Sequence, residues 1–189
     1  MALHPNSASL SAEVIDEYLT AAQNCLAYRK ADAGCLGYPS ALLLFCTVEA
    51  LGTCLVGKKN PFQVLNNPLF GLKLQPHQIN KLKTWYRHLL AHTAMIAPGT
   101  YLTLEADGDP FEFLPDGEPF RIRVIPFYKM VKSAWDTFDR KLLKPESQLE
   151  KIHYRSAAGN LTFSTTTPIS ASGSPYVPKP IHRSKSKLV

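Results

Sequence analysis

The sequence predicts a mainly α fold: a four- to five-helix bundle with a small antiparallel β insert and a disordered C-terminal tail. Three observations lead there. Apolar residues recur at three-and-four spacing along several long stretches, strict alternation marks one short stretch near residues 100–125, and residues 156–189 show neither pattern. With 189 residues, 45% hydrophobic and 19% charged, the chain suits one globular domain plus an appendage. It divides into an N-terminal extension (1–10), a helical domain (11–155) and a tail (156–189).

The first helix follows Ser9 and Ser11, either of which can cap it, with Glu13, Asp16 and Glu17 in its first turn. Val14, Ile15, Tyr18, Leu19, Ala22, Cys25 and Leu26 form its apolar stripe. Gly34 and Gly37 end that pattern, and Pro39-Ser40 opens a second helix over 41–56, too long for a strand and apolar enough to be central. Its Thr47 and Glu49, and a length short of roughly 20 apolar residues, argue against a membrane span. Gly57, Asn60-Pro61, Asn66-Asn67-Pro68 and Gly71 predict a loop over 57–74. Pro76 then takes a first-turn position of a third helix, which runs to about Met95 and stops at Pro98-Gly99.

Residues 101–105, 111–113 and 120–124 alternate around the turn Asp107-Gly108-Asp109-Pro110, predicting the antiparallel insert, which its size marks as an adornment. From Pro126 onward, Phe127, Val131, Ala134, Trp135, Phe138 and Leu142 make the stripe of a fourth helix, and a short fifth is expected over 146–154. The tail holds seven Ser, four Thr and four Pro, too little apolar surface to offset its ordering entropy.

The formal charge of +6 is uneven: Lys179, Arg183, Lys185 and Lys187 give the acid-free tail +4, leaving +2 for the rest. Such a balance permits nucleic acid or another anionic partner without naming one. Ser184 and Ser186, set among those lysines, would suit a docking or phosphorylated regulatory segment. The first ten residues lack the basic-then-apolar order of a secretory signal, so a cytoplasmic protein without a membrane association is expected. Cys25, Cys35, Cys46 and Cys54 show no Cys-x-x-Cys spacing and read as reduced core thiols.

The third helix carries the chemistry. On a wheel at about 100° per residue, Ile79, Leu82, Tyr86, Leu89, Leu90 and Thr93 share a core face. Opposite lie Thr84, Arg87, His88, Ala91, His92 and Met95, grouping one arginine and two histidines around a small alanine. Imidazoles titrate near neutrality and guanidinium offers a planar fork to phosphate, which are the parts needed to bind and cleave a phosphodiester. His88 and His92 also stand four apart, but Leu89 replaces the glutamate of a zinc-protease motif and no third ligand is placed nearby, so neither metal nor other cofactor is expected. Lys81, Lys83, Thr84 and an exposed Trp85 ring would extend a nucleic-acid track, and Glu49, inside an apolar helix, calls for a partner such as Arg87 or a histidine.

Arg87-His88-Leu89-Leu90-Ala91-His92 resembles the Arg-polar-x-x-x-His motif of HEPN domains, helical bundles that carry it on a late helix. The resemblance covers residues 10 to 145, without the insert or tail. It implies a metal-independent endoribonuclease, of the kind found in toxin, defence or RNA-processing systems, acting as a homodimer on RNA. His92 from each copy would serve as base and acid, Arg87 would bind the scissile phosphate, and His88 would orient the phosphate or His92. A non-catalytic HEPN-like dimer that binds RNA or protein is the alternative, and a protein partner or antitoxin would regulate either. The branch that pairs with nucleotidyltransferase antitoxins carries tyrosine where this chain has Ala94.

Overall fold

The computed structural model describes residues 3–4, 7–143 and 163–164, and its helices converge on the most apolar one. Helix α1 (Ser7–Ala27) lies along α2 (Gly37–Leu55), burying Ile15, Leu19 and Ala22 against Ala41, Leu44 and Val48. Buried Ser40 donates its hydroxyl to the Ala22 carbonyl at 3.1 Å, fixing the two helices where they meet. Helix α1 begins earlier than expected, so Ser9 and Ser11 sit inside it rather than capping it, and Glu13, Asp16 and Glu17 fall beyond its first turn. Helix α2 also starts earlier, at Gly37; its 19 residues meet the length and composition of a membrane-crossing helix, and here α1, α5 (Val124–Thr137) and the helix of the site all pack on it.

The expected loop over 57–74 contains a 3-10 helix, Pro61–Asn66, whose Phe62, Val64 and Leu65 enter the core. It presses against α2 at Gly52, where an added Cβ would stand 1.9 Å from the Pro61 carbonyl oxygen. Turn-forming residues marked the ends of this segment and hid the apolar run between them. Then α3 (Pro76–Lys81) starts as expected at Pro76, and the Gln75 backbone N–H donates to the Gln78 side chain at 2.8 Å. The rod continues as a π-helix, Leu82–His88, and returns to α-helix as α4 (Leu89–Thr93). Ala94 ends it in the left-handed conformation at φ 56°.

The strands β2 (Tyr101–Thr103), β3 (Phe111–Phe113) and β4 (Pro119–Arg123) form a sheet in the order β2-β4-β3. It is mixed, not antiparallel: β3 runs against β4, but β2 lies parallel to it. Nor is it an adornment. Phe111 and Ile122, paired across β3 and β4, are buried, and Phe111 packs with Phe45 and Phe127 at centroid distances of 6.3 and 5.0 Å. On the sheet's other face Arg121 and Arg123 bind Glu105 and Glu112, so the charged residues of the alternation satisfy one another.

Helix α5 carries the expected stripe, with Phe127, Val131, Ala134 and Trp135 buried; Trp135 donates its indole N–H to Asp16 at 2.6 Å and ties α5 to α1. The helix ends before Phe138, and a following 3-10 turn, Arg140–Leu142, leaves Leu142 exposed and buries Leu143 instead. A two-residue strand β1 (Leu3–His4) pairs antiparallel with β5 (Phe163–Ser164). The expected fifth helix over 146–154 and all of the tail except those two residues lie outside the described residues.

Candidate functional site

The rod over 76–93 holds its register through the buried residues Ile79, Leu82, Tyr86 and Leu90. From Leu82 these stand four apart, the spacing of one helix face. Thr93, expected on the core face, is exposed, and Leu89 is only half-buried. The return to α geometry falls at His88. There His88 and His92, one turn apart, present their rings side by side at 4.4 Å between centroids. Both histidines are exposed, as are Ala91, Ala94 and Met95.

Arg87 takes the other direction. It lines a groove of about 540 Å³ between α1 and α2, whose walls include Val14, Tyr18, Cys46, Ala50 and Cys54. Its Nε lies 2.7 Å from Glu49 Oε2, an ion pair in which the N–H does not point along the contact. Both side chains are about one-quarter to one-third exposed, so Glu49 is half-buried and shares its charge with Arg87 rather than with a histidine. Among the described residues the partner of the Arg87 guanidinium is Glu49. Burial pushes the neighbouring Cys46 thiol up from its ordinary value, Arg87 opposing and Glu49 adding to the effect, so this thiol is a poor nucleophile. One residue before Arg87, burial pushes the Tyr86 phenol up to about 12, partly offset by its contacts with Thr100 and the Tyr101 backbone.

Three of the four residues of the expected nucleic-acid track, Lys81, Thr84 and Trp85, are engaged within the protein. Lys81 binds Glu118 at 2.6 Å and stands 5.0 Å from the centroid of the Trp85 ring. Trp85 is half-buried against the core, not exposed, and its carbonyl accepts from the Ala97 N–H. Thr84 donates back to the Asn80 carbonyl at 3.0 Å. Lys83 lies beside a small cleft with Asn60, Gln63 and Asn80. Composition placed these residues on one helix but did not show that Glu118, 37 positions away, meets the first of them.

The site therefore has two parts on one turn of helix, an outward imidazole pair and an inward guanidinium–carboxylate pair. Two adjacent imidazoles can take and give a proton, and an arginine one residue away can bind an anion. Among the described residues no three or more His, Cys, Asp or Glu gather as metal ligands, and all four cysteines are free, Cys35 buried and the rest half-buried. Sequence reasoning missed the groove, with Cys46, Cys54 and Tyr18 in its walls, because its residues come from two helices whose packing no spacing reveals. Comparison with family models, with curated proteins and with solved structures gives no match.

Proposed function

We propose that the protein is a metal-independent, HEPN-like endoribonuclease whose acid–base groups are His88 and His92. The observation that carries this reading is the exposed His88–His92 pair at the junction where the π-helical turn ends. Such turns cost hydrogen-bond geometry and occur frequently at functional sites. In the reaction one imidazole takes the proton of a ribose 2′-hydroxyl as that oxygen attacks the adjacent phosphorus. A second protonates the departing 5′ oxygen, leaving a 2′,3′-cyclic phosphate. Arg87, turned inward to Glu49 and the groove, would reach that phosphate only by swinging its guanidinium out of this ion pair, where it would meet the negative charge as it builds.

A second copy packed across exposed Ala91 would add its own imidazole pair to the same cleft, giving a homodimeric site. DNA, without the 2′-hydroxyl, would not be cut. The test is incubation with labelled single-stranded RNA and matched DNA in excess chelator, beside His92→Ala of native size and fold. Cleavage of RNA alone, lost in the variant, is the expected result. RNA bound but uncut by the wild type would replace this reading with that of a non-catalytic RNA-binding dimer, which the engagement of Lys81 by Glu118 does not favour.

A further inference from the structure

The cysteines occupy two settings. Cys46 and Cys54 stand on α2 about 14 and 26 Å along its axis from Gly37, and both line the groove. Cys25 lies in the last turns of α1 and Cys35 just before α2, so only the loop between the helices separates them. That loop is folded tightly on itself. The Lys30 N–H donates to the Gly34 carbonyl at 2.8 Å, the Ala33 N–H donates to the Lys30 carbonyl at 3.0 Å, and Ala33 turns the chain at φ 63°. The loop closes where the Leu36 N–H donates to the Cys25 carbonyl at 3.1 Å. Because Leu36 follows Cys35 directly, that bond holds the Cα atoms of Cys25 and Cys35 within about 8 Å of each other. A disulfide spans roughly 4.4–6.8 Å between Cα atoms, and Gly34 and Gly37 give the chain around Cys35 the freedom to close the difference.

The two thiols also share surroundings. Cys25 is half-buried and Cys35 buried. The Arg29 guanidinium is held at the end of α1 by the carbonyls of Leu26, Ala27 and Tyr28, to which it donates. Burial pushes the Cys35 thiol up, with Arg29 and Lys30 opposing and Cys25 adding to the rise.

We infer that Cys25 and Cys35 are a dithiol pair, reduced in this structure, that hydrogen peroxide closes to a disulfide joining the end of α1 to the start of α2. The more accessible Cys25 gives up its proton, and its sulfur attacks one oxygen of the peroxide. The O–O bond breaks, sulfur supplies two electrons, and the departing oxygen takes protons to leave as water, so that Cys25 becomes a sulfenic acid. The Cys35 sulfur then attacks the Cys25 sulfur; the S–O bond breaks, and hydroxide leaves as water with the Cys35 proton. Two thiols and one peroxide give one disulfide and two waters. The inference is independent of the proposed nuclease activity, since it uses none of Arg87, His88 and His92.

The test exposes the reduced full-length protein to a small excess of hydrogen peroxide, blocks the remaining thiols with N-ethylmaleimide, and maps tryptic peptides by mass spectrometry. Expected is a chain lighter by two hydrogens, with the peptide ending at Arg29 joined to the peptide over 31–58 through Cys25 and Cys35, and reversal by dithiothreitol. The oxidised protein should melt at least about 3 °C above the reduced one, because the bond restricts the unfolded chain. In Cys25→Ser, Cys35 should lose its thiol at least tenfold more slowly than in the wild type. Linkage of Cys25 to Cys46 or Cys54, linkage between chains, oxidation of Cys25 without linkage, or no oxidation would overturn the inference. So would an unchanged or lower melting temperature, or an equal rate at Cys35 in the variant.

Discussion

The two ends of the rod over 76–93 differ in what their polar side chains do. In its first three turns Lys81, Thr84 and Trp85 are bound to Glu118, the Asn80 carbonyl and the core. In its last turn His88 and His92 face solvent and touch each other. Residues of the same polar character thus hold the fold at one end and stand free at the other. The lesson is that a polar helix face is not one surface: a charge whose partner sits on a neighbouring loop belongs to the fold, whereas an exposed pair at a change of winding is open to a ligand.

Removing the anchor between the two ends should have the largest effect. Tyr86 is wholly buried against Phe45, and Tyr86→Ala should cost about 3–5 kcal/mol in urea unfolding. His92→Ala should leave stability within about 0.5 kcal/mol while lowering RNA cleavage at least about 100-fold. That split between stability and rate would sharpen the contrast, and a large loss of stability would erase it. Ala94→Gly should raise stability by about 1 kcal/mol, because glycine accepts the left-handed conformation that ends the rod without the strain of a Cβ. Lys81→Ala should change stability by less than about 1 kcal/mol and RNA binding not at all; weakened binding with a reduced salt slope would return Lys81 to a nucleic-acid track.

The smallest effect lies in the β insert. The hydrogen bond from Arg123, helped by the charge of Arg121, holds the Glu105 carboxyl below its ordinary value. A depressed carboxylate stabilises the fold above the usual carboxylate range and loses that contribution as pH falls through its lowered value. Amide protection factors in β2 and β4 should therefore fall in acid in the wild type. In Glu105→Gln they should already be reduced at neutral pH.

The helices were legible because their apolar stripes are long: Phe127 through Trp135 bury the face their spacing predicts, and of the α1 stripe Ile15, Leu19 and Ala22 enter the core while Val14 and Tyr18 line the groove. The 3-10 helix at Pro61–Asn66 was not, because six residues are too few to show a period and prolines and asparagines flank them. Parallel pairing of β2 with β4 was hidden for another reason: alternation reports which side chains share a face, not which way the neighbouring strand runs. At the site, the histidine pair four apart followed directly from helical geometry. The wheel grouped Arg87 with it, whereas in the structure the guanidinium turns to Glu49 and the groove.

The central claim is that the outward imidazole pair, and not the lysine–tryptophan end, is where RNA meets this protein. It is tested most directly by following the side-chain NMR signals of His88, His92 and Trp85 during titration with a short RNA made uncleavable by 2′-O-methylation. Saturable shifts of both histidine rings, with the Trp85 indole N–H unmoved, are predicted. Shifts of the Trp85 indole with both histidines unmoved would contradict the account and place the RNA surface at the other end of the rod.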